Sequence, residues 1–192
     1  MKKVGVLALQ GDFEAHQKAL ARAGAEGVQV RTAAELGEVA ALVIPGGEST
    51  TMLKLIHAEG LMEPLREFGQ RRPIFGTCAG AILVAAEVSH PAQESLGLVD
   101  IAVERNGYGR QLDSHVAKIA PEPEFLSRVG GGELETVFIR APIIRRTGPA
   151  VRVLVRHGDD PVLVEQGRYL VATFHPELTG DDRVHRLFLE KL

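Results

Sequence analysis

The fold is decided by residues 73–86, which read PIFGTCAGAILVAA. The first three residues form a short apolar run typical of a buried parallel strand, and the last six predict an apolar helix through Ala86. Between them stands Gly76-Thr77-Cys78-Ala79-Gly80, a sharp turn whose glycines leave room for strained backbone geometry. A strand, a tight turn and a helix in direct succession indicate a doubly wound α/β fold.

The same alternation extends toward the N-terminus. Apolar runs predict strands at residues 4–9, 27–30 and 40–44, and helices are predicted after residue 12, from residue 49 and across 62–68. Toward the C-terminus strand-like segments follow one another, with only a short helical turn near Phe125; they lie at residues 101–104, 114–119, 137–139, 151–155, 161–165 and 169–173. A helix across 181–192 closes the chain, with Val184, Leu187 and Phe188 facing inward. We expect one domain, 1–192, whose parallel sheet is extended by antiparallel strands.

Composition excludes several classes of protein. The chain has 192 residues, a net charge of −3 and a single cysteine. The negative net charge gives no indication of a basic surface for nucleic acid. No apolar run approaches the length of a membrane span. The N-terminus leads directly into a strand instead of a signal peptide, so we expect a cytoplasmic protein. One cysteine permits neither an internal disulfide nor a multi-cysteine metal site.

Cys78 is the first candidate for chemistry. The pattern G-x-C-x-G is the cysteine form of the nucleophile elbow, which exposes a side chain where a strand ends and a helix begins. Open α/β sheets place their ligands at this edge, and a helix N-terminus favours an anionic sulfur. A buried cysteine in an ordinary tight turn is the alternative, and the pentapeptide alone does not decide between them.

His175-Pro176-Glu177 is the second candidate. It follows the strand predicted at 169–173, so it also lies at the end of a strand. A thiol nucleophile needs a base that takes its proton and returns it to a leaving amine, and the base needs an acceptor on its other nitrogen. His175 and Glu177 are spaced for these roles. Alone, the three residues indicate a surface turn; together with the cysteine elbow they indicate a catalytic triad.

A glycine-rich loop, Pro45-Gly46-Gly47-Glu48-Ser49, follows the third strand and opens a helix. Free backbone N–H groups in such a loop stabilise an oxyanion, although glycine-rich βα turns are common. Arg105 and Arg140 could hold a carboxylate, but most arginines in a chain rich in arginine are solvated or ion-paired. The remaining histidines lack metal-ligand spacing and are interpreted as structural or surface residues: His16, His57, His90, His115, His157 and His185.

With these three sites the chain resembles the class I glutamine amidotransferases, and more narrowly the glutaminase subunits of pyridoxal 5′-phosphate synthase. The resemblance rests on segments spread over nearly the whole chain: GVLALQG (5–11), PGGESTT (45–51), GTCAG (76–80), VERNGYGRQ (103–111), FIRAP (138–142) and FHPELT (174–179). The elbow is shared with many amidotransferases, whereas the fourth and fifth segments are much more specific.

The resemblance implies a flavodoxin-like three-layer fold and a role for each residue. Cys78 would be the nucleophile, His175 the acid and base, and Glu177 its orienting partner, with backbone N–H groups of Gly47 and Ala79 forming the oxyanion hole. The residues that would bind L-glutamine are Gly46, Gly47, Glu48, Ser49, Arg105, Ile139 and Arg140. The ammonia would pass to a barrel-shaped synthase subunit that makes pyridoxal 5′-phosphate. That compound would be the product of the complex, and this chain would need neither cofactor nor metal.

Three alternatives stay open. The nearest is the glutaminase subunit of another amidotransferase, such as imidazole glycerol phosphate synthase, against which the segments 103–111 and 138–142 argue. A catalytically inactive binding module of the same fold is opposed by the intact triad. A chaperone or hydrolase of the DJ-1 type would share the cysteine elbow but has no reason to carry His175-Pro176-Glu177.

Overall fold

A computed structural model describes residues 2–106 and 114–192, so residues 107–111 of the specific segment 103–111 lie outside the described part. In chain order the elements are β1 Lys3–Leu7, α1 Phe13–Arg22, β2 Glu26–Val30, α2 Ala33–Gly37, β3 Ala41–Ile44, α3 Ser49–Ala58, α4 Met62–Arg71, β4 Ile74–Thr77, α5 Ala79–Val84, β5 Ala85–Ser89, β6 Val99–Glu104, β7 His115–Ile119, α6 Pro123–Val129, β8 Leu134–Phe138, β9 Ile143–Thr147, β10 Arg152–His157, β11 Asp160–Gln166, β12 Tyr169–Ala172, a 3₁₀ turn Pro176–Leu178, and α7 Arg183–Leu189.

Among the described residues, seven strands form the main sheet in the order β10-β11-β12-β4-β3-β1-β2. Strands β2, β1, β3, β4 and β12 are parallel, whereas β11 pairs antiparallel with β12 and β10 with β11. The predicted mixed sheet, with a parallel core and an antiparallel extension, is therefore confirmed. Strands β3 and β4 are buried along their whole length, which explains why they are continuous apolar runs instead of alternating ones.

Two hydrophobic layers cover the sheet. Alternate side chains of β3 point to opposite faces: Leu42 and Ile44 pack in a cluster with α3, α4 and α5, and Ala41 and Val43 pack in a second cluster with α1, α6 and α7. The C-terminal helix contributes Val184, Leu187 and Phe188 to the second cluster, as its sequence predicts. The result is the expected three-layer α/β arrangement.

Part of the second half differs from the sequence prediction. The helix after the elbow ends at Val84 instead of continuing through Ala86, and Ala85–Ser89 is β5, which pairs with β6. Strands β5, β6 and β9 form a separate sheet, and β7 pairs only with β8 within the described residues, so these strands do not extend the main sheet. The short alternating patterns predict strands but carry no information about which neighbour each strand pairs with.

Two helices differ from the sequence prediction: α2 was not predicted, and α6 is longer than the predicted turn. Helix α2 begins with a capping box, in which the Thr32 side chain accepts from the Glu35 N–H and the Glu35 carboxylate accepts from the Thr32 N–H. Helix α6 is a complete short helix with proline in its first turn, where only a turn near Phe125 was predicted.

The elbow is held by two close backbone approaches. A Cβ on Gly76 would lie 2.6 Å from the Gly80 carbonyl oxygen, and a Cβ on Gly80 would lie 2.0 Å from the Ile44 carbonyl oxygen. The first turn of α5 therefore rests directly on the end of β3, and only glycine permits this contact.

Gly80→Ala tests this packing, because helix propensity and sterics predict opposite results. Propensity alone predicts stabilisation by up to about 1 kcal/mol, whereas the clash with backbone predicts a loss of about 3 kcal/mol or more. Urea unfolding measures the difference. Gly37→Ala is the matched control, since a Cβ there has no heavy atom within 4 Å and should be neutral or slightly stabilising. Equal unfolding midpoints for Gly80→Ala and the wild type would contradict the close approach.

Candidate active site

The carboxyl ends of four parallel strands meet at one edge of the main sheet. Gln10 follows β1, the glycine-rich loop follows β3, Cys78 follows β4 and His175 follows β12. A cavity of about 330 Å³ opens at this edge, and the predicted site residues that line it are Gly47, Glu48, Ser49, Cys78, Ala79, Arg105, Ile139, Arg140 and His175. Segments far apart in the sequence therefore come together where open α/β sheets place their ligands.

Cys78 has the backbone of a nucleophile elbow. Its φ of 49° and ψ of −103° are rare for a residue with a side chain, and its N–H donates to the Ala172 carbonyl over 2.9 Å. The side chain is only 6% exposed, yet it lines the cavity, and Sγ lies 3.9 Å from the Ile139 carbonyl oxygen. The backbone thus directs a shielded sulfur into the cavity.

His175 and Glu177 form a buried pair beside this sulfur. His175 Nδ1 lies 2.7 Å from Glu177 Oε1, and His175 lines the same cavity as Cys78. The backbone N–H of His175 donates to the Val137 carbonyl over 2.8 Å, and Pro176 begins the 3₁₀ turn that carries Glu177. Because Nδ1 is hydrogen-bonded to Glu177, Nε2 is the ring nitrogen left to interact with Cys78.

The charge of His175 is set by its two partners. Burial alone would lower the pKa of His175, but hydrogen bonds to Cys78 and Glu177, together with their negative charges, raise this pKa to about 10. The imidazole is therefore protonated at neutral pH.

The glycine-rich loop packs against this pair. A Cβ on Gly46 would lie 2.4 Å from His175 Cε1, so only glycine fits between the loop and the imidazole. The Gly46 carbonyl accepts a 3.3 Å hydrogen bond from the Asp12 N–H, which holds the Gly46–Gly47 peptide in one orientation. Gln10 Oε1 accepts from the Glu48 N–H over 3.0 Å and so ties the loop to the end of β1.

The Glu48 side chain caps α3. It accepts hydrogen bonds from the side chain of Thr51 and from the backbone N–H groups of Thr51 and Thr50, and these lower the pKa of Glu48 to about 2 despite partial burial. The carboxylate is therefore anionic at the mouth of the cavity. Arg105 approaches from the other side, with Nη2 at 2.8 Å from Thr50 Oγ1 and 4.0 Å from Glu48 Oε1.

Three more predicted residues complete the rim. Ser49 donates to Gln93 Oε1 over 3.1 Å and is nearly buried. Ile139 is 38% exposed, and Arg140 has a positive φ of 46°, a conformation that is unusual for arginine and recurs at ligand sites.

The sequence profile of the SNO glutamine amidotransferase family matches residues 6–192. The chain belongs to the SNO glutamine amidotransferase family. The family membership and the class I fold expected from the sequence are both confirmed.

Two relatives and one crystal structure match this amidotransferase over nearly its full length. A pyridoxal 5′-phosphate synthase subunit PdxT from Solibacter usitatus (strain Ellin6076) is 64% identical over 192 residues, covering 100% of both chains. The subunit of the same name from Koribacter versatilis (strain Ellin345) is 54% identical over 188 residues, covering 98% of this chain and 94% of that one. A crystal structure described as a glutamine amidotransferase has 48% identity and a TM-score of 0.88, covering 98% and 97% of the two chains.

Four residues at this amidotransferase site were not predicted. Gln10, Ile82 and Asn106 line the cavity, and His16 contacts Glu177 from behind it. His16 gave a signal in the sequence, because it interrupts the apolar stripe of α1 with a polar residue that must find a partner when buried.

Within the described ranges, no helix is both long and apolar enough to cross a membrane.

The pKa of His175 predicts a pH dependence. Because this pKa is raised from 6.5 to about 10, protonated His175 stabilises the fold fully below about pH 6.5, and that contribution is lost as pH rises from 6.5 through 10. Titration of the His175 ring by NMR should give a midpoint near 10. In Cys78→Ala the midpoint should fall by at least about one pH unit, since the partnership with sulfur is gone. A midpoint near 6.5 in both proteins would contradict the ion pair.

Proposed function

We propose that this chain is the glutaminase subunit of a pyridoxal 5′-phosphate synthase: a single domain, 1–192, that hydrolyses L-glutamine and supplies ammonia to a synthase subunit. The observation that carries the proposal is that Cys78 and His175 line one cavity of about 330 Å³ and that His175 is hydrogen-bonded to Glu177. The names of the relatives that match the whole chain support the choice of synthase over other amidotransferases.

The chemistry follows from the Cys78–His175 pair. The thiolate attacks the side-chain amide carbon of glutamine, and the carbonyl oxygen becomes an oxyanion. The His175 imidazolium donates its proton to the departing nitrogen, which leaves as ammonia, and a thioester remains on Cys78. His175, now neutral, takes a proton from water, whose oxygen attacks the thioester; the C–S bond breaks and glutamate leaves. Glu177 orients the imidazole and stabilises its charge.

The oxyanion is assigned to the backbone N–H groups of Gly47 and Ala79. Ala79 is the first residue of α5, and N–H groups in the first turn of a helix have no acceptor within that helix. Both residues line the cavity on the side of Cys78. Two fixed donors at a developing negative charge are among the largest contributions to catalysis.

Glutamine binding is assigned to Gly46, Gly47, Glu48, Ser49, Arg105, Ile139 and Arg140. Charge suggests the orientation of the amino acid. The anionic Glu48 attracts the α-ammonium group, and the guanidinium groups of Arg105 and Arg140 suit the α-carboxylate. The side-chain amide then points toward Cys78.

The proposed partner is the barrel-shaped synthase subunit, which consumes the ammonia. Pyridoxal 5′-phosphate is its product, so no cofactor is assigned to this chain. We also propose a cytoplasmic location, because an uncombined thiol nucleophile suits a reducing compartment.

Cys78→Ala should abolish glutamine hydrolysis and leave the fold intact, since it replaces a thiol by a hydrogen in a well-packed site. Glutamate release by the complex measures the loss, and circular dichroism checks the fold. The synthase partner, mixed with this variant, should still form pyridoxal 5′-phosphate when ammonium salts replace glutamine. Glutamate release that survives in the variant would refute Cys78 as the nucleophile. A synthase that stays inactive with ammonium would show that this chain contributes more than ammonia.

The isolated chain should be a poor glutaminase that its partner activates. The Gly46–Gly47 peptide is held by one 3.3 Å hydrogen bond, and glycine on both sides allows it to rotate and present or withdraw the Gly47 N–H. Loss of one such donor costs on the order of 10²–10³ in rate. Glutamate release should therefore rise by about that factor when synthase is added without its phosphate substrates. Equal rates with and without synthase would contradict activation and leave the triad untouched.

A further inference from the structure

His16 lies behind the triad, on the buried face of α1. Its side chain is fully buried, and Nε2 lies 3.0 Å from Thr77 Oγ1 and 3.3 Å from Glu177 Oε2. Its other nitrogen, Nδ1, lies 3.0 Å from His185 Nε2 on α7. His16 thus contacts the residue that precedes the nucleophile and the acid of the triad at the same time.

We propose that His16 is a positioning residue for glutamine hydrolysis: it holds the Glu177 carboxylate from the side opposite His175, and His185 holds His16. The inference rests on the proposed function, because it assigns His16 an effect on the rate through Glu177. It adds to the Cys78–His175–Glu177 triad a second layer of two histidines.

The need for this contact comes from the burial of Glu177. The carboxylate is fully shielded from water, and Oε1 accepts the hydrogen bond to His175. Among the described residues Oε2 has no hydrogen bond, and His16 Nε2 lies 3.3 Å from it. A buried carboxylate oxygen without a facing donor is costly, so the carboxylate would reorient if the His16 N–H were absent.

The tautomer of each ring follows from its contacts. Oε2 of a carboxylate only accepts, so the proton is assigned to His16 Nε2, which lies 3.0 Å from Thr77 Oγ1 and 3.3 Å from Glu177 Oε2. Nδ1 of His16 then accepts from the Nε2–H of His185. The remaining nitrogen of His185, Nδ1, is buried and has no hydrogen-bond partner in the described part of the chain.

Both outer rings are neutral. Burial, together with the neighbouring histidines His185 and His175, lowers the pKa of His16 well below 6.5, and burial with the nearby Arg22 lowers that of His185 to about 3. A neutral ring suits a positioning role. It can orient the Glu177 carboxylate by hydrogen bonding, while the negative charge of the carboxylate is still balanced by the positive charge of His175.

Packing alone does not account for two histidines here. The His16 and His185 rings lie among apolar side chains, with Phe75 in edge contact with both and Phe188 next to Phe75. A leucine or phenylalanine would fill such a space without burying polar nitrogen. The test therefore separates the ring's N–H from its bulk.

The decisive comparison is His16→Leu against His16→Gln in the complex with synthase. Leucine keeps the bulk without an N–H, whereas glutamine places an amide N–H where Nε2 stands. His16→Leu should lower kcat for glutamate release about 10- to 100-fold, the range typical of a residue that orients a directly acting group, with KM nearly unchanged. His16→Gln should recover most of kcat. In His16→Leu the NMR resonance of the His175 Nδ1 proton should also move, because its acceptor has shifted.

A double-mutant cycle with Glu177→Gln tests the route of the effect. If His16 acts through Glu177, then His16→Leu should add little to the loss already caused by Glu177→Gln. Fully additive losses would overturn the proposal, as would wild-type kcat in folded His16→Leu or equal kcat in the leucine and glutamine variants.

His185→Phe serves if His16→Leu fails to fold, since it keeps the aromatic shape and removes only the donor to His16. It should lower kcat less than His16→Leu and should also be non-additive with Glu177→Gln; unchanged kcat or additive losses would overturn the proposal.

Cys78→Ala is measured in parallel as a control. Activity that survives in that variant would refute the proposed function itself, whereas an inactive Cys78→Ala beside a fully active His16→Leu refutes only the inference about His16.

Discussion

The backbone of Cys78 is the constraint on which the site depends. A residue with a side chain at φ 49° costs about 1–3 kcal/mol and persists only where its surroundings fix it. Here β4 lies between β3 and β12, and Gly80 rests on the Ile44 carbonyl at the end of β3. The same two neighbouring strands deliver the glycine-rich loop and His175. The packing that maintains the elbow therefore also brings the glycine-rich loop and His175 close to the sulfur.

Electrostatics then determines the chemistry. Burial opposes a charged imidazole, but His175 stays protonated because the sulfur and Glu177 flank it. Burial prevails at His16 and His185, and both rings are neutral. The site thus has a protonated His175 between Cys78 and Glu177, and two neutral histidines behind Glu177.

Most strands of the first half were predictable because they are buried on both faces. Continuous apolar runs followed by glycine-rich turns specify both the strand and the edge at which it ends, and β1, β3 and β4 follow this rule. The second half was predicted only as separate strands. Whether β6 joins β5 and β9 or the main sheet depends on contacts between distant segments, and the pattern within a strand does not record them.

The sequence by itself determined the residue types of the site and the strand ends that carry them: the cysteine elbow, the late His175 and Glu177, and the glycine-rich loop. Only the tertiary structure decided which of these side chains contact one another and which further side chains contact them. His16 is the clearest case, since it lies in α1, at the other end of the sequence from Glu177, and its 3.3 Å approach to that carboxylate exists only after α1 packs against the main sheet. A hydrogen bond depends on distance and direction in space, and the spacing of residues along a chain fixes neither.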